Sequence, residues 1–540
     1  MLGADAMVKC LEMEGVTTVY GYPGVAICPF YNSLLNSDIR SILVRTEQNA
    51  AHAASGMART GGIGVCAVTS GPGATNLITG IATAFADSIP LICITGQVNS
   101  NLLGSDVFQE ADITGAAESF VKYSYLVKNA QDIPRIFKEA FHIATTGRKG
   151  PVLIDVPFDI QNEVMKNFEY PESINLRTYK PTVQGNSLQI KKVLKALEKA
   201  QKPLLCVGGG VLLGNAKEQI TSFAHKHKIP VVSTMMGIGV MSSDDSLYFG
   251  MVGNNGKPYA NKAMNESDLL IMVGARVADR AVNQPDLITK NKVLVHIDVD
   301  PAEIGKNAGP TIPIVGEAAY IFDELNLSDI TVDSAKWLDE LNEYKVKLMP
   351  VRELHEGYVD PEQFLVKLTQ AMKEDSIYVA DVGQNQIWSC GYAIIKKGAF
   401  LTSGGMGTMG YSIPAGIGAK LQNPDKEVVA VCGDGSFQMS MCELATMRQH
   451  GVKLKVIVMK NSYLGMVREY QHFTYQDNYS VVDLTGSPNL KKLASAYDMD
   501  CIEVKTMDEV DEAINRFLST DDAILMECCV DPMDLVRYRV

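Results

Sequence analysis

Short runs rich in Val, Ile and Leu alternate with helical patterns from one end of the chain to the other. SILVR, GVCAVTS, PLICITG, PVLIDVP, PLLCVGGG, PVVSTM, DLLIMVGAR, VLVHIDVD, SIYVAD, EVVAVCGDG and LKVIVMKN read as buried strands. The alternation predicts an α/β chain of doubly wound parallel sheets, each covered by helices on both faces. Two stretches break the rhythm: residues 162–187, which are polar with Pro171 and Pro181, and residues 325–360, a charged helical connector around Trp337. They divide the chain into three expected domains, 1–163, 188–328 and 358–540. TSGPGATNLITGIATA from Thr69 resembles TSGGMGTMGYSIPAGIGA from Thr402, a faint repeat suggesting that the first and third domains share a fold.

Composition narrows the function. With 62 Asp plus Glu against 49 Lys plus Arg, the 540 residues carry a formal charge of −13, which argues against a nucleic-acid partner. The 11 cysteines are scattered without a C-x-x-C pair, as expected of a reduced, cytoplasmic protein. The opening MLGADAMVKCLEMEGV reads as an amphipathic helix rather than a signal peptide. The uncharged run from Thr60 to Ala86 is punctuated by glycines and Pro72, so no membrane span is expected. His225 and His227 read as a solvated helix face, and Cys528 and Cys529 as core thiols.

The most specific chemistry lies in VVAVCGDGSF and LKVIVMKNSYLG, which place Asp434 and Asn461 at the carboxyl ends of two buried strands. A right-handed crossover makes those strands parallel and neighbouring, bringing two oxygen ligands into the crevice where open α/β sheets bind ligands. Such ligands suit Mg²⁺, and Gly433 and Gly435 allow close approach of a diphosphate. Taken singly, Asp434 reads better as a helix cap and Asn461 as a turn residue; together, at this spacing, they read as metal ligands. Gly405, Gly407 and Gly410 form a literal G-x-G-x-x-G, but the strand before it is short and Pro414 opens the next helix, so a dinucleotide fingerprint is unpersuasive.

The GDG and the Asn together resemble the metal-diphosphate motif of thiamine-diphosphate enzymes. The resemblance implies a third metal ligand, the Tyr463 carbonyl. It assigns Val382, Gly383, Gln384, Asn385, Ser436, Leu464, Gly465 and Met466 to the cofactor's cradle, with the Asn385 amide donating to phosphate. It also has the Gly407 carbonyl accept the pyrimidine amino group and makes Met409 the wedge that folds the cofactor. Glu47, in ILVRTEQNAAHAASGMART, sits where an acid commonly caps a helix. In the family such an acid, held protonated by a raised pKa, hydrogen-bonds pyrimidine N1′ and promotes the tautomer that removes the C2 proton. There it reaches across a subunit interface, which implies a homodimer or homotetramer.

The resemblance extends along the chain to the acetohydroxyacid synthase (acetolactate synthase) catalytic subunits. It is carried by GYPG, the RxEQxAAHAASGxAR run, FQEADI, GPVLIDVP, GAR-x-x-DR, DPAEIGKN, DVGQ-x-Q-x-W and GMVRE. It implies decarboxylation of pyruvate and transfer of the two-carbon unit to a second 2-oxoacid, in branched-chain amino acid biosynthesis, with a possible small regulatory subunit. Gln109, Phe108, Val25, Met466 and Tyr470 would line the substrate pocket. Arg280 would pair with a carboxylate, of substrate or of the protein itself. Non-redox FAD would lie along Arg148, Gly208, Gly209, Gly210, Gly256, Gly274, Arg276, Asp298 and Glu317. Departures from the family pattern, namely Thr46, Val25, Phe158, Asn385, Tyr470, Asn255 and a short DPMDLVRYRV ending, bear on acceptor choice. They leave open an alternative, another thiamine-diphosphate-dependent decarboxylase or carboligase with a different acceptor.

Overall fold

The computed structural model describes residues 1–282, 284–348 and 355–536, so the last four residues of the DPMDLVRYRV ending lie outside it. The expected strands are all present, in three six-stranded sheets whose neighbouring strands are parallel. The first sheet holds β1 (Thr18–Tyr22), β2 (Arg40–Leu43), β3 (Gly64–Val68), β4 (Leu91–Gln97), β5 (Tyr123–Leu126) and β6 (Val152–Pro157). The central sheet holds β7 (Pro203–Val207), β8 (Val231–Ser233), β9 (Tyr248–Met251), β10 (Leu269–Val273), β11 (Val293–Asp298) and β12 (Ile312–Val315). The third holds β13 (Ile377–Ala380), β14 (Ala399–Leu401), β15 (Val428–Gly433), β16 (Lys455–Lys460), β17 (Asp500–Val504) and β18 (Ile524–Cys529). Interior strands such as β3 and β4 are buried along their whole length, because helices cover both faces.

The first sheet runs β2-β1-β3-β4-β6-β5 and the third β14-β13-β15-β16-β18-β17, which is one topology used twice. The central sheet, β12-β11-β10-β7-β8-β9, follows the other doubly wound order. The repeat seen in the sequence reaches this shared fold through a mismatched register. TSGPG follows β3, the third strand of its sheet, whereas TSGGMGTMG follows β14, the second. The topological counterpart of TSGPG is the Gly433–Ser436 turn after β15, and that of the 402–410 loop is the turn that launches Glu47.

Two helices that each follow a second strand, Glu47–Ala58 and Ser412–Gln422, cross at the centre of the molecule. A Cβ on Gly56 would stand 1.9 Å from the Ala415 carbonyl oxygen, and one on Gly418 1.8 Å from that of Ala53. Ala53 and Gly56 face Ala415 and Gly418, so an A-x-x-G motif on each helix packs against its counterpart. Pro414 lies in the first turn of its helix, where no intrahelical N–H is needed, and breaks nothing.

The helical part of the charged connector is anchored to the central domain. Trp337, in helix Ala335–Lys347, is buried against the central sheet and donates its indole N–H to the Pro203 carbonyl at 3.2 Å. The reading of His225 and His227 as a solvated face needs correction. His225 pairs with Asp245 at 2.9 Å, while His227 is buried against Phe223, because the helix turns that side toward the core. Cys528 is fully buried and Cys529 partly so. Among the described residues, no helix is long and apolar enough to cross a membrane.

Candidate active site

β15 ends at Gly433 and Asp434 begins the next helix; β16, its neighbour, ends at Lys460 immediately before Asn461. Asp434 is buried, and its Oδ2 accepts the Ser462 N–H at 2.8 Å. Burial pushes its carboxyl up to about 6, with backbone N–H groups and the Lys460 ammonium pulling the other way. Asn461 donates Nδ2 to Gln384 Oε1 at 3.0 Å, which fixes the amide and leaves Oδ1 as the acceptor, here of the Tyr463 N–H at 3.0 Å. Gln384 is held in turn by Glu469 Oε2 and the Asp534 carbonyl, both at 3.0 Å. A Cβ on Gly465 would stand 2.0 Å from Gln384 Oε1, so this arrangement requires the glycine.

A second acid organises the neighbouring loops. Asp381, fully buried at the end of β13, accepts N–H groups from Val382 at 2.8 Å, Gly410 at 2.9 Å and Ser412 at 2.7 Å. It thereby ties the Val382–Asn385 turn to the loop carrying Gly407 and Met409. Gly407 has φ +68 with open space where a side chain would be, a conformation that suits glycine. Met409 leans on the GDG turn, its Cε 3.5 Å from where Gly435 would carry a Cβ. Ser436 closes that turn with hydrogen bonds to the Gly433 N–H at 3.2 Å and carbonyl at 3.1 Å.

Asn385 departs from expectation. Its Nδ2 already donates to the Asp381 carbonyl at 2.8 Å and the Val431 carbonyl at 3.2 Å, which uses both amide hydrogens. Flipping the amide would set its oxygen against two carbonyls. An anion at this turn therefore meets backbone N–H groups instead.

Glu47 opens its helix on the first sheet, half-buried, with Oε2 accepting from Asn76 Nδ2 at 3.1 Å and Oε1 close against Gly73 of the TSGPG turn. Gln109, at φ +60, packs its backbone on Gly71 of the same turn. Beside it Phe108 is 87% exposed, and Val25, in the short helical turn after β1, is 74% exposed. Met466 and Tyr470 stand exposed on helix Gly465–Tyr475. Among the described residues of one chain, Phe108, Val25, Met466 and Tyr470 are exposed rather than gathered around Glu47.

Between the three sheets lies a cavity of about 760 Å³, lined by Arg148, Gly209, Gly210, Gly274, Arg276, Asp298 and Glu317, and reaching Arg280, Gly407 and Met466. Two glycines expected along it serve packing instead. A Cβ on Gly208 would meet the Gly274 carbonyl at 2.2 Å, and one on Gly256 the Met251 carbonyl at 2.5 Å. Arg148 is clamped by Asp300 at 3.1 Å, Glu303 at 2.9 Å and Ser88 Oγ at 3.1 Å. Arg280 is largely exposed, and its side chain lies 3.7 Å from its neighbour Asp279. Burial raises the Asp298 carboxyl.

Sequence reasoning passed over Asp381, although SIYVAD ends on it just as VVAVCGD ends on Asp434. It also passed over Asp87, buried in the first domain, which accepts the N–H groups of Gly404 at 3.2 Å and Gly405 at 2.6 Å and so braces the Gly407 loop.

Comparison with known families agrees with this layout. Residues 1–116 match the family described as thiamine pyrophosphate enzyme, N-terminal TPP binding domain; residues 190–325 match its central domain, and residues 381–528 its C-terminal TPP binding domain. The chain is 41% identical over 547 residues to a probable acetolactate synthase large subunit of Methanocaldococcus jannaschii, covering 99% of this chain and 93% of that one. It is 42% identical over 533 residues to the acetolactate synthase large subunit of Haemophilus influenzae, covering 97% and 93%. With that of Corynebacterium glutamicum it shares 42% identity over 535 residues, covering 97% and 85%.

Proposed function

The chain belongs to the acetolactate synthase large-subunit family of thiamine pyrophosphate enzymes, and from that premise we propose that it joins two 2-oxoacids, decarboxylating pyruvate and passing the two-carbon unit to a second pyruvate or to 2-oxobutyrate. The observation that carries this reading is the oxygen-donor pair of Asp434 and Asn461 on adjacent strand ends, with Asn461 held by Gln384. A carboxylate, an amide oxygen and the Tyr463 carbonyl form an all-oxygen set that suits Mg²⁺. The turn at Gly433–Ser436 and the backbone N–H groups after Gly383 suit a diphosphate, and open space beside Gly407 suits a pyrimidine ring.

Thiamine diphosphate, when bound, supplies the electron sink that makes loss of CO₂ feasible. The chain's own groups do the rest. Glu47 would hydrogen-bond the pyrimidine nitrogen, Met409 and Gly407 would support the pyrimidine, and Asp434 with Asn461 would hold the metal. Completed by a second copy, Gln109, Phe108, Val25, Met466 and Tyr470 would line the acceptor site, and Arg280 would meet its carboxylate. The exposure of Glu47's surroundings within one chain supports a dimer in which a second copy completes each site. The cavity between the sheets is large enough for a flavin, and Arg148, Arg276, Asp298 and Glu317 line it beside Gly209, Gly210 and Gly274; FAD there would be structural.

The test is to purify the protein without added flavin, record its visible spectrum, and assay pyruvate with Mg²⁺ and thiamine diphosphate, with and without FAD, measuring acetolactate and acetaldehyde separately. Acetolactate with bound or required FAD is the expected outcome. Acetaldehyde alone would make this a decarboxylase.

A further inference from the structure

Glu47 is not positioned by its own sheet alone. Between the end of β2 and the first turn of the Glu47 helix, the chain is gripped by the segment Met441–His450 of the third domain. The Arg45 N–H donates to Glu443 Oε1 at 2.9 Å and Asn49 Nδ2 donates to the same oxygen at 2.8 Å. Thr446 donates its hydroxyl to Glu443 Oε2 at 2.6 Å and lies 3.2 Å from the Leu43 carbonyl. The Leu43 N–H meets His450 Nε2 at 3.1 Å, and the Arg45 guanidinium meets Gln449 Oε1 at 2.7 Å.

Glu443 has no exposed surface. A carboxylate removed from water is retained only where donors meet it. Here three do, and two of the three belong to the turn that launches Glu47. Glu443 also closes the helical segment that Asp434 opens, Asp434–Ser440 followed by Met441–Glu443. One short stretch thus carries a metal-ligand candidate at one end and the anchor of the Glu47 turn at the other.

We infer that Glu443 is a positioning residue for Glu47, holding residues 45–49 so that the Glu47 carboxyl meets its target; the inference rests on the reading of Glu47 as the activating acid. Glu47 is the first residue of its helix, so any slip of that turn displaces its carboxyl directly. With Glu443 truncated, Arg45 and Asn49 lose a shared acceptor and the turn loses its register.

The test measures hydrogen–deuterium exchange at C2 of bound thiamine diphosphate, and thiamine diphosphate affinity with Mg²⁺, in Glu443→Ala and Glu443→Gln, each with and without Glu47→Gln. Glu443→Ala is expected to slow exchange about tenfold or more while affinity stays within about threefold, since small displacements of a reacting group cost far more in rate than in binding. Glu443→Gln, which keeps an acceptor oxygen, should recover most of the rate, and Glu443→Ala should add nothing once Glu47→Gln is present. Unchanged exchange in Glu443→Ala, or an equal loss in the Glu47→Gln background, overturns the inference. If Glu443→Ala does not fold, Thr446→Val is to show the same pattern at about threefold, and no slowing there overturns it equally. If Glu47→Gln itself leaves exchange unchanged, the reading of Glu47 fails and the inference falls with it, a result the Glu443 variants cannot mimic.

Discussion

Asp155 and Glu527 occupy the same place in two copies of one topology. Each is the fourth residue of the sixth strand of its sheet, facing Thr95 on β4 and Val458 on β16 respectively. Their partners also correspond, since Gln97 ends β4 where Lys460 ends β16. In the first sheet the pair is neutral in character: Gln97 Nε2 donates to Asp155 at 3.0 Å, the Thr95 hydroxyl donates at 2.6 Å, and burial pushes Asp155 up to about 7. In the third sheet it is ionic, with Lys460 Nζ 2.7 Å from Glu527. The ammonium stands one residue before Asn461 and favours ionised Asp434. The half that carries Asp434 and Asn461 has a charged pair beside them; the half that carries Glu47 has a neutral one. One scaffold accommodates both because Gln97 and Lys460 stand at the ends of β4 and β16, where side chains change without disturbing the ladder.

Three experiments break or sharpen this comparison. The largest effect separates the two acids. Glu47→Gln is expected to lower turnover by about 10²–10⁴-fold with Mg²⁺ binding intact, whereas Asp434→Asn lowers Mg²⁺ affinity at least about 100-fold. Calorimetric titration with Mg²⁺ alongside steady-state turnover distinguishes them, and equal metal loss in both would erase the division of labour. Next comes the crossing that joins the halves. Gly56→Ala or Gly418→Ala forces a methyl into a carbonyl oxygen and is expected to cost about 3 kcal/mol or more in denaturant unfolding. Gly486→Ala, where a Cβ meets nothing within 4 Å, should stay within about 0.5 kcal/mol.

The smallest effect concerns pH. Because the folded state raises Asp155, it binds a proton that the unfolded chain has released. Stability is therefore full below the unfolded value near 3.8 and falls as pH rises through about 7. The loss should be about 2 kcal/mol between pH 5 and 7, and Asp155→Asn should flatten that part of the profile. Thermal unfolding across the range checks it; an unchanged slope would remove Asp155 as its source.

Most interior strands were plain in the sequence because burial on both faces makes continuous apolar runs; β1 and β18, though interior, were not among the runs read. The sequence pattern also left out β5, β9, β12 and β17, all at sheet edges, where β5 is largely half-exposed and β17 alternates. Half-exposed strands mix polar with apolar positions and lose the signal. Asp434, Asn461 and Glu47 were legible because strand-end acids and amides beside glycines have a local signature. Asp381 had the same signature and went unused. Glu443 and Asp87 had none, since their roles come from residues hundreds of positions away in sequence. Asn385 was misjudged because a side chain's donors are visible in its formula, but their existing acceptors are not.

The crossing of the Glu47–Ala58 and Ser412–Gln422 helices has a mechanical consequence. Backbone rests on backbone there, with no side chain between them to change rotamer and absorb a displacement. Such a contact behaves as a pinned joint: the two halves turn about it, but neither sliding nor approach is open to them. Breathing of the enzyme must then be carried by parts with slack. Helix Gly465–Tyr475 is one, anchored through buried Glu469 with Met466, Val467, Tyr470 and Tyr475 standing free of the core.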